Sequence, residues 1–165
     1  MEKNGNLKPL ANKENHDCFG CSSTNSCGLQ MQFYTDGEAL YSWLTVPRHL
    51  CGWDDLVHGG VLATILDEIM SWTAIHFSKK FSVTNAMSFE FHKPVHIGEE
   101  IRAEGRVLEF RRKREVVVEG NLYKGENTLC VKSAGTFRLF TAEAMVRLGN
   151  MREEMIKKFN FMIEP

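Results

Sequence analysis

Residues 60–77, GVLATILDEIMSWTAIHF, constrain the fold more than any other stretch. Val61, Leu62, Ile65, Leu66, Ile69, Met70, Trp72 and Ile75 cover most of a helix's circumference, so this helix must be buried on most sides. A single helix hidden in that way needs a sheet that curls around it, which is an α+β layer arrangement. The remaining pattern supplies the sheet. Residues 29–34 and 38–46 flank a turn at Thr35, Asp36 and Gly37 and read as a hairpin ended by Pro47. Past the helix the apolar period changes to two. Residues 82–92, with Met87, Phe89 and Phe91 on one face, form the next strand. Residues 101–110, 116–123 and 128–140 follow with short connections, the signature of an antiparallel meander. Thr141 caps a final helix on which Ala144, Met145, Leu148, Met151, Met155, Ile156 and Phe159 recur at helical spacing. The expected organisation is a flexible lead-in over 1–16, one domain over 17–140 and a helical tail over 141–165.

The 165-residue chain carries a formal charge of −1, which gives no reason to expect nucleic acid or an anionic membrane as a partner. No apolar run reaches the length of a bilayer span, and the first residues lack the apolar core of a secretory signal. The expected location is cytoplasmic. Five cysteines, an odd number, fit reduced thiols. Three of them, Cys18, Cys21 and Cys27, cluster in CFGCSSTNSCGL. A zinc site there needs a fourth ligand from His16, Cys51 or elsewhere, and no second C-x-x-C follows. The stretch is therefore read as a tight Gly- and Ser-rich loop, and no metal is assigned. His49, His76 and His96 stand without ligand spacing.

The chemistry concentrates in VHGGVLATILDE, residues 57–68. The first N–H groups of a helix have no partner inside it, and the helix dipole adds positive charge there. Gly59 and Gly60 let a ligand approach that backbone, so the helix start can serve as an oxyanion hole or be a plain chain-reversing turn. Asp67 lies eight residues past Gly59, on the order of 12 Å along the axis. One reacting carbon cannot touch both within a single chain. Asp67 either serves something else or meets the helix start of a second subunit, as general base or nucleophile. Glu68, one helical step away, fits an exposed edge.

These residues resemble the motif of the hotdog-fold acyl-CoA thioesterases, in the branch that includes the phenylacetyl-CoA thioesterases. His58 and Asp67 match that family's His-Gly-Gly and the acid nine positions on. CFGCSSTNSCGLQMQF is similar to its Cys-Phe-x-Cys opening, and TNAMSFEFHKPVHIGEEI to its next strand and Gly-Glu turn. The resemblance implies a hotdog fold: a curved antiparallel sheet wrapped around one long central helix, here with an extra C-terminal helix. It implies hydrolysis of an acyl-CoA to a carboxylic acid and free coenzyme A. No cofactor is needed, since coenzyme A is part of the substrate. Carried over by position, Asp67 activates water or attacks the carbonyl, the Gly59 N–H binds the thioester oxygen with Gly60 nearby, and His58 orients the site. Thr84 falls where relatives hold the attacking water with a Ser or Thr. Arg111, Arg112 and Arg114, with Lys113, form the densest basic run and are assigned to the phosphates of coenzyme A. Arg138 and His92 rank below them. Met70, Trp72 and Phe89 either line the acyl pocket or belong to the core. Self-association as a homodimer or homotetramer is expected. One departure bears on the chemistry: Cys51 sits where many relatives carry Gln or Asn, and Asp54 and Asp55 add acid beside it. That departure motivates the alternative of a non-catalytic acyl or acyl-CoA binding protein on the same fold.

Overall fold

A computed structural model describes residues 7–12 and 16–163. The long helix, α1, spans Gly59–Ser78. Its start is capped by His58, whose side chain accepts from the Gly60 N–H, and it ends at Lys79. Lys79 is left-handed (φ 54°) and returns its N–H to the Ile75 carbonyl, a stop that also places positive charge at the negative end of the helix dipole. Leu62, Ile65, Leu66, Ile69, Met70, Trp72, Ala74 and Ile75 are all buried. Each large side chain among them contributes about 2 kcal/mol of burial.

Among the described residues the sheet has seven strands, all antiparallel, in the order β1-β2-β3-β5-β6-β7-β4. They are β1 Lys8–Pro9, β2 Tyr34–Thr35, β3 Leu40–Thr45, β4 Phe81–Phe91, β5 Glu100–Arg111, β6 Glu115–Lys124 and β7 Thr128–Phe140. Strands β3 to β7 all touch α1, so the sheet curls around the helix as the hotdog arrangement requires. Bulges at Thr84/Ala86, Val107/Glu109 and Leu122/Tyr123 add local bend. Gly105 and Gly120, paired across β5 and β6, let the helix sit close. A Cβ on Gly105 would overlap the Thr73 hydroxyl, and one on Gly120 would lie 2.6 Å from Met70 Sδ. Among the described residues no helix is long and apolar enough to cross a membrane.

Several expectations change. Of the expected first strand only Tyr34 is paired, and Thr35, expected in the turn, joins it in β2. Residues 29–33 still alternate in burial, but they hydrogen-bond to the preceding loop: Leu29 N–H to Phe19 O and Met31 N–H to Gly20 O. Gln30, at φ 50°, interrupts the extended backbone. The lead-in expected over 1–16 falls partly outside the described residues. Where it is described it is tied down, by β1 and by Leu10 N–H to Phe33 O. The expected single tail helix is two, α2 Ala142–Arg147 and α3 Glu153–Phe159, separated by a left-handed Gly149 (φ 71°). Thr141 caps α2 as expected, accepting from the Ala144 N–H. Met70 and Trp72 are core, with Trp72 stacked on Phe33 at 4.4 Å, while Phe89 is half-buried against that core.

Candidate functional site

The two acids in the middle of α1 face opposite environments. Asp67 is half-buried at the side of α1 next to β4. The Thr84 hydroxyl donates to Asp67 Oδ1 at 2.6 Å. The bulge between Thr84 and Ala86 sits at this point in the β4–β7 ladder. Asn85, the extra residue, turns the other way: its amide donates to Thr136 Oγ1 and accepts from Arg138 Nε, both at 3.2 Å. With its proton committed to Asp67, Thr84 keeps lone pairs free, and among the described residues Oδ1 is the Asp67 oxygen that is bonded.

Glu68 is not on an exposed edge. Its carboxylate lies under the turn carrying Cys18 and Cys21 and accepts from Trp72 Nε1 at 3.2 Å. Burial, with a smaller contribution from the neighbouring Cys18, pushes its pKa up to about 7. A residue at the third turn of a helix is covered here by a loop about fifty positions earlier, which no local pattern announces.

His58, Gly59 and Gly60 form the exposed start of α1. His58 Nδ1 accepts from the Gly60 N–H at 2.9 Å. That leaves Nε2 to carry the proton of a neutral ring and consumes the Gly60 donor. The Val61 and Leu62 N–H groups turn back to the His58 carbonyl. Gly59 faces a cleft of about 280 Å³ lined by Leu56, Leu62, Phe91, His92, Lys93 and Pro94. The loop before it is pinned by Asp55, whose carboxylate meets His96 Nδ1 at 3.1 Å and whose carbonyl takes the Ile97 N–H. Asp55 is therefore spent on structure. Cys51, half-buried, bridges to Val57.

The basic run occupies a third place. Arg112–Arg114 form a 3-10 turn between β5 and β6, with Arg112 left-handed (φ 59°). Lys80 Nζ holds the turn through the Lys113 carbonyl at 3.1 Å. The turn borders a cleft of about 720 Å³ with Arg111, Glu115, Arg138 and Phe140. Arg111 is paired with Glu109 at 2.8 Å, whereas Arg138 brings a further cation. Arg138 and His92 thus lie beside the two ends of the candidate site. Arg138 sits in β7 opposite Glu115 and His92 just past the end of β4, and neither position carried a motif.

The structure joins Asp67 with Thr84 and His58 with Gly59 and Gly60. Within one chain Gly59 and Asp67 stay on the order of 12 Å apart along α1, whereas Arg138 reaches Asn85, next to Thr84. Residues 55–131 match the family profile described as the thioesterase superfamily. No curated protein matched the chain. Among solved structures, a Haemophilus influenzae thioesterase, HI1161, is similar at 20% identity, covering 73% of this chain and 85% of its own, with a TM-score of 0.63. The Escherichia coli PaaI protein from the phenylacetic acid degradation operon is similar at 17% identity over 68% of this chain and 80% of its own, with a TM-score of 0.61. A hypothetical thioesterase of Streptococcus pneumoniae TIGR4, solved with coenzyme A, is similar at 18% identity over 63% and 80%, with a TM-score of 0.57. That same protein was also solved with a threonine and, separately, an aspartate replaced by alanine. The shared fold makes this chain a hotdog-fold protein, and its central segment, 55–131, matches the thioesterase superfamily.

Proposed function

We propose that the protein is an acyl-CoA thioesterase of the phenylacetyl-CoA thioesterase-like branch, with its active site assembled between two subunits. The hydrogen bond from Thr84 to Asp67 at 2.6 Å carries the reading. It leaves one carboxylate oxygen and one hydroxyl lone pair side by side, so a water can donate one proton to each. That water's own lone pair then points outward. It attacks the thioester carbonyl while Asp67 takes its proton, and the C–S bond breaks with that proton returned to the departing sulfur. The developing oxyanion needs a donor. Gly59 N–H lies about 12 Å along the same helix, so the donor comes from the α1 start of a second subunit, with His58 Nε2–H beside it. The long open edge of β4 supports such pairing, since an exposed edge strand is a template for another chain. The arginine-lined cleft offers Arg112, Arg114 and Arg138 to a polyphosphate. The coenzyme A bound to the pneumococcal relative makes that ester the first substrate to try.

The test is release of free thiol from a panel of aromatic, short-chain and long-chain acyl-CoAs. Asp67→Ala is expected to lower kcat by about a hundredfold or more while leaving the melting temperature near wild type, because Asp67 is half-exposed. A fully active variant overturns the assignment. Tight binding of acyl-CoA by calorimetry without thiol release in the wild type would favour the binding protein that Cys51 suggests.

A further inference from the structure

The turn that covers Glu68 brings three metal-ligating groups to one point. One Sγ each from Cys18 and Cys21 and a carboxylate oxygen of Glu68 lie within 4.8 Å of one another. Cys18 Sγ is 3.7 and 3.9 Å from the two oxygens of Glu68. Two ligands of a single tetrahedral zinc, at bond lengths near 2.0–2.3 Å, stand roughly 3.5–3.8 Å apart. The Cys18–Glu68 spacing is close to that of a coordination shell, and Cys21 Sγ lies within 4.8 Å of both. Cys21 is 3% exposed, while Cys18 and Glu68 are half-buried.

The surroundings hold these groups in place. Gly20 permits the approach, since a Cβ there would overlap the Glu68 carboxylate. Trp72 N–H orients that carboxylate from behind, the outer partner that metal ligands ordinarily have. His16 is buried and both its nitrogens are engaged, Nδ1 by the Cys18 N–H at 3.3 Å and Nε2 by Asn12 Oδ1 at 3.1 Å. It therefore fixes the turn instead of ligating. Phe159 packs on His16 and Phe161 faces Trp72, so the tail closes over this side. Among the described residues no lysine or arginine pairs with Glu68. Two thiolates and a carboxylate with no lysine or arginine partner carry three negative charges beside one histidine, and a divalent cation supplies compensating charge.

We propose that Cys18, Cys21 and Glu68 bind a zinc-type divalent cation, two thiolates and one carboxylate with water at the fourth position. Paired thiolates select zinc over magnesium or calcium. The metal clamps the N-terminal turn onto α1, one residue from Asp67, and it stands independently of the thioesterase reading. The test uses the full chain, stripped with a chelator under reducing conditions and titrated with Co²⁺. The expected result is about one equivalent per chain, a thiolate-to-cobalt charge-transfer band, and displacement by Zn²⁺. Glu68→Gln should keep the band and weaken affinity by roughly tenfold or more, while Cys18→Ser and Cys21→Ser should each lose most of it. Cys27→Ser, at an exposed cysteine outside the cluster, should leave the band unchanged. Folded, reduced wild type that shows no charge-transfer band overturns the proposal, whatever the variants do. So does a band that survives in Cys18→Ser and Cys21→Ser but disappears in Cys27→Ser.

Discussion

Asp67 and Glu68 are consecutive, yet about 100° apart around the helix axis. That rotation sends one carboxylate to the β4 side and the other under the Cys18 turn. The pairing of Asp67 with Thr84 was legible in the sequence, through the family motif and its strand. The burial of Glu68 was not, because its cover comes from a loop with no periodicity and only Gly20 as a sign of close approach. The Thr84 hydroxyl makes a sharp prediction. Thr84→Val keeps the shape of the side chain and removes both the donor to Asp67 and the acceptor for water. Turnover should fall about tenfold to a hundredfold with KM for acyl-CoA little changed, whereas Thr84→Ser should keep most of the activity. Steady-state kinetics on the three proteins decides it: equal losses in Ser and Val variants would mean that Thr84 acts through packing.

The helix start is a device of an element and not of one residue. His58 is extended (φ −61°, ψ 133°) and Gly59 is the first helical residue. Proline favours that first position, because its ring angle suits the helix and its missing N–H has no helical partner to lose. The extended His58 is also the backbone a residue before proline prefers. A Cβ at Gly59 meets Phe91 only at 3.8 Å, an ordinary contact. Gly59→Pro should therefore fold and melt within a few degrees of wild type, yet lose the proposed oxyanion donor. The expected fall in kcat is about 10²–10³-fold, and near-wild-type turnover would remove Gly59 N–H from the mechanism. The same scale explains what pattern could and could not tell. α1 and the meander β5–β6–β7 follow from strong periodicity, and β7 matches its expected limits. Residues 29–33 kept the alternation but not the strand, because their partner is a loop. The tail helix broke where Gly149 adopts a left-handed angle that the apolar spacing around it concealed.

At the scale of the whole molecule, the sheet leaves β4 open along its length at the same side of the helix as Asp67 and Thr84. Exposed Val83 and Phe91 lie along that edge. Thr84 sits near one end of β4, and Phe91, which borders the Gly59 cleft, is at the other. Antiparallel pairing of two β4 strands would superpose these opposite ends, carrying the Gly59 of one subunit toward the Asp67 of the next. Each dimer then holds two sites, and each site draws its acid and its oxyanion donor from different chains. That arrangement can be tested without a structure of the dimer. Asp67→Ala and Gly59→Pro chains, each inactive alone, are unfolded together and refolded as a mixture. Random pairing makes half the dimers mixed, and each mixed dimer has one site with both defects and one site with neither. Activity should return to roughly a quarter of wild type. If every site drew both groups from a single chain, no mixed dimer would contain an intact site, and the refolded mixture would stay as inactive as its parents.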